Sequence, residues 1–436
     1  MMRATIEKLI YGGEGLAHEN GEAVFVPFVL PGEEVEVEIV ERKKKFVRGR
    51  LARVVTASPD RINAQCPHFG VCGGCDYQHI SYESQLRYKE QILRETLRRI
   101  GKIEWTGPIA LHASPPWRYR NRAQWQVRPV AGEGARFSAG YSSAIGYFRA
   151  GSSTLCPVEV CPILSPKLFA MFEVLRSALR EGKLPETLRE VEAFVDADDR
   201  GILLNISCTS LPRATESIAR MFSERIENVK SVLIRDVRGE RMSLHGPGFL
   251  QYKVAQSSFR VGHMSFFQVN RFLVDEMARI VAAAAGSGDI ALDLYAGVGL
   301  FAMSLARSFS HIDAVEANPA SARDLETNAG LSGKTIATRN NSTEGFLAEW
   351  KRKRGVAPPD VVVADPPRAG IEPDALEKLI DIAPQRIVYV SCDPSTLARD
   401  LAKFCAKEYA LEEIYLLDMF PQTYHIEAIA RLDRST

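Results

Sequence analysis

Residues 289–306 read DIALDLYAGVGLFAMSLA. An apolar run ends in a turn carrying Gly297 and Gly299, and a helical pattern follows, so the segment is a strand, a tight turn and a helix. That order lets the backbone approach a ligand at the start of the helix, as it does in doubly wound α/β sheets. About 20 residues on, HIDAVEAN is a second strand, and its Glu316 stands where an acid bonds the ribose hydroxyls of an adenosine cofactor. From Ser265 onward strands and helices alternate, the mark of a parallel doubly wound sheet. Gly297, Gly299 and Ala302 equally satisfy the dinucleotide fingerprint, so an NAD-dependent oxidoreductase remains in view at this point.

Two later strands narrow the chemistry. VVVADPPRAG ends in Asp365, Pro366, Pro367 and Arg368, and RIVYVSCDP ends in Cys392. Both ends face the crevice in which such sheets bind ligands. A nicotinamide enzyme has no use for a thiol there unless it acylates on cysteine, whereas a transferase that must activate a pyrimidine ring does. Amino-group methyltransferases often place an aromatic after the two prolines, and Arg368 stands there instead.

Outward from this half, the 436 residues suggest two or three domains, with 46% hydrophobic residues and a net charge of +1. No apolar run is long enough to span a bilayer and the N-terminus has no signal-peptide core, so a cytoplasmic protein with no membrane partner is expected. Eight cysteines in such a chain are expected to be mostly reduced. Residues 1–57 alternate short apolar runs with turn signals, a small β-barrel pattern that ends at Ser58-Pro59-Asp60. Its Arg42, Lys43, Lys44, Lys45, Arg48, Arg50 and Arg53 surround Phe46, which suits RNA phosphates and a stacked base as well as it suits a solvated hairpin edge. Residues 58–260 read as a middle α+β domain with helices at about 82–100 and 165–181, and residues 261–436 as the nucleotide-binding domain. In WRYRNRAQWQVRP, the residues Trp117, Arg118, Arg120, Arg122, Trp125 and Arg128 are either RNA contacts or the anchors of a strand edge.

FFQVN at 266–270, DLYAGVGLF at 293–301, DPPR at 365–368, VSCDPSTLARD at 390–400 and DMFPQTYHIE at 418–427 together resemble the RNA (uracil-C5) methyltransferase family. The likeness spans the chain, and the N-terminal barrel looks like a TRAM domain. It implies a class I methyltransferase, Rossmann-like sheet in which Gln268, Tyr295, Glu316, Asn341 and Asp365 bind S-adenosyl-methionine. It also implies Cys392 as nucleophile and Glu427 as proton acceptor. The chemistry explains these residue types. Carbon 5 of uracil attacks a sulfonium methyl too weakly by itself, so a thiolate first adds to carbon 6, and a base then takes the carbon 5 proton so that the thiol can leave. Taken singly, Cys392 reads more readily as a core thiol than as a catalyst, while Asp365 reads equally as a turn cap and Glu427 as an edge-strand acid; the neighbouring motifs reverse the first and decide the others. Extended-chain alternation puts His425 on the same side as Glu427.

Cys66, Cys72 and Cys75 form C-x5-C-x2-C, three thiols on a loop short enough to wrap one face of a metal cluster. The fourth ligand is Cys156 or Cys161, and the family's pattern around CPILSP selects Cys161, giving a closed structural 4Fe-4S cluster. Zinc is the rival occupant. A radical enzyme would use a C-x3-C-x2-C arrangement with one iron left open.

A thiolate reaches the ring face only of an unstacked uridine, so the RNA is bound in a loop or has its base flipped out. The cysteine segment resembles members of the family that act on 23S rRNA. A tRNA enzyme, or a non-catalytic RNA-binding protein that retains the fold, is the alternative. No obligate protein partner is implied.

Overall fold

The computed structural model describes residues 1–129, 143–352 and 357–435. Six strands between Met2 and Thr56 form the first sheet, in the order Met2–Thr5, Glu34–Arg42, Phe46–Thr56, Glu22–Pro27, Glu14–Glu19, Lys8–Leu9. Val35 and Val37 alternate with glutamates, so the valines meet Val24, Val26 and Val47 in a small core while the acids face water. A bond from Glu7 N to Leu16 O, 2.8 Å long, ties the chain just past the first strand back towards the opposite edge and gives the sheet its barrel character.

The seven-stranded middle sheet runs Leu155–Pro157, Ser143–Phe148, Arg122–Pro129, Leu188–Val195, Ile202–Cys208, Val229–Asp236, Met242–His245. Its one parallel pair, Ile202–Cys208 with Val229–Asp236, is joined by the helix Thr215–Arg225. The helix Pro166–Arg180, N-capped by Ser165, lays Met171, Phe172 and Leu175 on the sheet.

The third sheet has eight strands in the order Ile336–Asn340, Phe309–Glu316, Gly288–Leu294, Val361–Ala364, Arg386–Ser391, Glu427–Arg434, Tyr409–Leu417, Ile109–His112. The first five are parallel, and their order reverses beside Gly288–Leu294, the switch point at which such sheets open a crevice. This is the doubly wound α/β sheet expected from the sequence. Glu427–Arg434 then runs antiparallel to Arg386–Ser391.

The last strand, Ile109–His112, comes from far upstream and pairs in parallel with Tyr409–Leu417. The helix Tyr82–Thr96 also packs on this core through Tyr88, Ile92 and Leu93, and it continues as a π turn over Leu97–Gly101. The chain between the first two sheets is thus built into the third, which a division into successive segments does not convey. Buried Lys89 on that helix pairs with buried Asp418 at 2.6 Å and donates to Phe420 O, while Gln85 exchanges two bonds with Gln422. These bonds fix the loop that leads to Glu427.

Candidate active site

At the switch point a cavity of about 540 Å3 is lined by residues from every neighbouring strand end, among them Gln268, Tyr295, Glu316, Asp365, Cys392 and Glu427. The sheet register explains how sequence-distant groups meet. Ser391 pairs with Ala428 in the antiparallel ladder, so the next step along both strands sets Cys392 opposite Glu427. Ala364 pairs with Tyr389 in the neighbouring parallel ladder, which brings Asp365 to the same edge.

The glycine turn forms as its sequence suggests. Gly297 and Gly299 have φ of +56° and +97°, and a Cβ on Gly299 would lie 2.8 Å from Leu325 Cδ1. Tyr295 holds a left-handed φ of +63° without being glycine, a strained conformation that buried surroundings must enforce. Its hydroxyl donates to Glu372 Oε2 at 2.7 Å. Glu316 accepts from Gly297 N at 2.8 Å and from Asn318 N at 2.6 Å, so its carboxylate is already aimed along the turn. Gln268 Nε2 donates to Asp365 Oδ2 at 3.5 Å. Asn341 lies apart from the cavity lining, its amide on Glu349 Oε1 at 3.2 Å.

Burial dominates the electrostatics. It raises the Cys392 thiol to about 12, with Glu427 and Asp365 adding repulsion and Arg368 opposing it. Glu427 is 3% exposed, and burial followed by the Asp365 charge holds its carboxyl well above the usual range. Asp365, in the cavity lining, is raised by burial as well. Beneath the turn, burial raises Asp293 to about 8 although its Oδ2 accepts from Ala302 N at 2.7 Å. Asp293 was not singled out from sequence; an acid buried in an otherwise apolar strand was the available signal.

A second cavity, of about 310 Å3, is lined by Cys66, Cys72, Cys75 and Cys161, with Arg120, Arg368 and His425 on its wall. Cys156 lies within electrostatic reach of Cys66 and Cys72 but is 3% exposed and packs in the middle core. Among the described residues no group of three or more His, Cys, Asp or Glu is arranged to hold a metal ion. Burial raises all four lining thiols, Cys72 to about 12.

Several expectations change here. His425 lines the cysteine cavity rather than sharing the crevice with Glu427. Regular strand begins only at Glu427, and Gln422 has a φ of +69°, so alternation does not carry back through the loop. The His425 ring lies 4.3 Å from Tyr424, and burial with Arg368 nearby lowers its pKa to about 3. Trp125 is fully buried, stacked 5.3 Å from Phe172, and Arg122 lies 4.4 Å over Phe194, so these two anchor the fold instead of reaching RNA. On the barrel Arg42, Lys43, Arg48, Arg50 and Arg53 each pair with a glutamate, a more nearly neutral surface than the basic run suggested.

A doubly wound sheet with a cavity at its switch point, lined by Glu316, Asp365, Cys392 and Glu427, is the frame in which such sheets bind ligands. The chain belongs to the tRNA (uracil-5-)-methyltransferase family, whose model matches residues 81–435, and it carries a TRAM domain matched over residues 1–52. It is similar to an uncharacterized RNA methyltransferase of Aquifex aeolicus, 32% identical over 99% of this chain and 98% of the other. One of Halalkalibacterium halodurans is likewise 32% identical, over 99% and 97%. Among solved structures it is similar to the Pyrococcus abyssi tRNA (uracil-54, C5)-methyltransferase in complex with S-adenosyl-L-homocysteine. That protein is 26% identical, with a TM-score of 0.75, over 99% of this chain and all of that one. S-adenosyl-methionine is the cofactor of this family, and RNA is its substrate. No helix among the described residues is long and apolar enough to cross a membrane.

Proposed function

We propose that this protein methylates carbon 5 of a uridine in a structured RNA, with Cys392 as nucleophile and Glu427 as base. The observation that carries the reading is the ladder register that sets Cys392 opposite Glu427, with Asp365 alongside, in one cavity. Bound S-adenosyl-methionine supplies an electrophilic methyl group on a positively charged sulfur. In this reading Glu316 takes the ribose hydroxyls, and its position in the cavity lining beside Gln268, Tyr295 and Asp365 supports that role. Asn341, which the family resemblance also implies, stands outside that lining. The positive sulfur would favour the Cys392 thiolate relative to the cavity without it, against the repulsion of Glu427 and Asp365. Cys392 sulfur bonds to carbon 6, and carbon 5 takes the methyl as its bond to sulfur breaks. Glu427 then accepts the carbon 5 proton while the sulfur to carbon 6 bond breaks.

For the four cysteines we infer a 4Fe-4S cluster. Four thiols converge on one cavity, and Arg120 and Arg368 flank it with positive charge that suits an anionic thiolate-bound cluster. Since the thiols as they stand do not form a metal-holding group, loading entails their reorientation. In the substrate reading, the cysteine segment favours 23S rRNA, while the Pyrococcus abyssi enzyme's tRNA substrate favours tRNA. The test is incubation with labelled S-adenosyl-methionine and unmodified 23S rRNA and tRNA transcripts, followed by nucleoside mass spectrometry, with Cys392→Ala as control. 5-Methyluridine in one transcript, lost with the substitution, is the expected result and identifies the RNA. Methylation that survives Cys392→Ala overturns the mechanism.

A further inference from the structure

The N-terminal barrel reaches the catalytic turn itself. Leu9 and Leu30 are buried in the core cluster that holds Tyr77, Ile80, Tyr389 and Leu397, and Lys8 pairs with Glu95 on the helix Tyr82–Thr96. Between these anchors the barrel loop projects Tyr11. Its hydroxyl lies 3.4 Å from the Cys392 carbonyl oxygen and donates there, and the Asp393 carboxylate is also within its reach. Asp393 in turn caps the helix Pro394–Cys405, its Oδ1 accepting from Ser395 N at 2.8 Å and Thr396 N at 3.0 Å.

The same loop touches the segment that leads to the base. The Tyr11 ring meets Tyr424 edge-on, with centroids 5.5 Å apart. At Gly13, with φ of +86°, an added Cβ would sit 3.2 Å from Tyr424 Cδ1 and 3.3 Å from Asp76 Cβ, so a side chain there is strained by the backbone and tight against both neighbours. Asp76 N and Tyr77 N both donate to Gln422 O. One barrel loop therefore contacts the turn bearing Cys392 and the approach to Glu427, and neighbours the residue after Cys75.

We propose that Tyr11 is a positioning residue for methyl transfer, holding the Cys392–Asp393 turn so that the thiol meets carbon 6, which makes the barrel part of the catalytic apparatus. The proposal rests on the reading of Cys392 as nucleophile. Cys392 lies one residue beyond its strand, so the ladder brings it opposite Glu427 while the turn sets its final aim. A nucleophile on such a turn keeps its aim only through bonds to the turn, and small misplacements cost rate steeply. Burial and the Asp393 charge keep the phenol protonated, so it remains a donor.

Tyr11→Phe keeps the ring and its packing and removes only the hydroxyl; Tyr11→Ala removes both. The full-length protein is assayed by single-turnover methyl transfer at saturating RNA, by RNA dissociation constant, and by adduct formation with 5-fluorouridine RNA, whose carbon 5 cannot release a proton. The expected result for Tyr11→Phe is a fall of about tenfold in both the saturated rate and the adduct rate, with RNA affinity changed less than about twofold. A saturated rate equal to wild type overturns the proposal, whether or not affinity changes, because a tyrosine that serves only RNA binding acts through affinity. If Tyr11→Ala fails to fold, Tyr11→Phe alone decides. Failure of the underlying reading looks different: Cys392→Ala would still methylate and form adduct.

Discussion

The two cavities that share Arg368 and Phe420 are made of opposite materials. The larger is framed by strand ends, whose register is set by Val361–Ala364 and Arg386–Ser391, so the sheet brings its groups to one edge and the turn after Ser391 sets the final aim of Cys392. The smaller is framed by loops around Cys66–Cys75 and Cys161 and by the loop before Glu427, held by side-chain bonds such as Gln85 to Gln422. In both, burial raises the pKa of the thiols that line them. A sheet edge can present reacting groups before any ligand arrives, whereas a loop cavity of thiols gains order from what it encloses.

The sharpest way to break this contrast is Glu427→Gln. If the acid is the proton acceptor, methylated product falls by about a thousandfold while a covalent RNA adduct accumulates, seen as a retarded band on a denaturing gel. Stability should move the other way. A buried acid whose folded pKa is raised keeps its proton when the unfolded chain has lost it. Folding stability therefore declines as pH rises from the ordinary carboxylate value towards the folded value. Thermal melts should show Glu427→Gln more stable by on the order of 1–3 kcal/mol near pH 8, with no gain below about pH 4. A flat difference across pH would mean that Glu427 is ionised in the fold.

For the loop cavity, protein purified without oxygen should contain iron and acid-labile sulfide. Cys75→Ser and Cys161→Ser should each reduce the iron content several-fold, while Cys156→Ala retains it, as iron and sulfide analysis would show. Loss of iron with Cys156→Ala but not with Cys161→Ser would reverse the assignment of the fourth ligand.

The smallest effect is expected where the cavities meet. Arg368 lowers the Cys392 and Glu427 values, but it is exposed, so its influence is screened. Arg368→Gln should slow alkylation of Cys392 by iodoacetamide only about two- to threefold at pH 8. A loss of a hundredfold would mean that Arg368 organises the site and does more than bias its charge.

The catalytic half was legible because its groups sit at strand ends, where apolar runs such as VVVA and RIVYVS mark both the element and its terminus. The helix at Pro166–Arg180 announced itself through Ser165 and Pro166. What stayed hidden depends on pairing at long range. The strand Ile109–His112 is four residues whose partner lies some three hundred positions away, and nothing local distinguishes it from a loop. His425 was misplaced because alternation holds only inside a strand. The basic run on the barrel misled because its neutralising glutamates, Glu22, Glu36 and Glu38, lie on adjacent strands. Tyr11 carries no motif at all; only docking of the barrel gives it a role.

The burial of Leu9 and Leu30 also bears on the order in which the chain acquires structure. The barrel strands leave the ribosome ahead of the two later sheets, yet these two leucines share a core with residues as late as Leu432. Until the last strand has been synthesised, a nascent chain exposes that apolar surface and retains an incomplete seam, the kind of delay that long-range contacts impose on folding. Segments about four hundred residues apart thus mature together, and loss of the strand Glu427–Arg434 would leave the barrel without part of the surface against which it comes to rest.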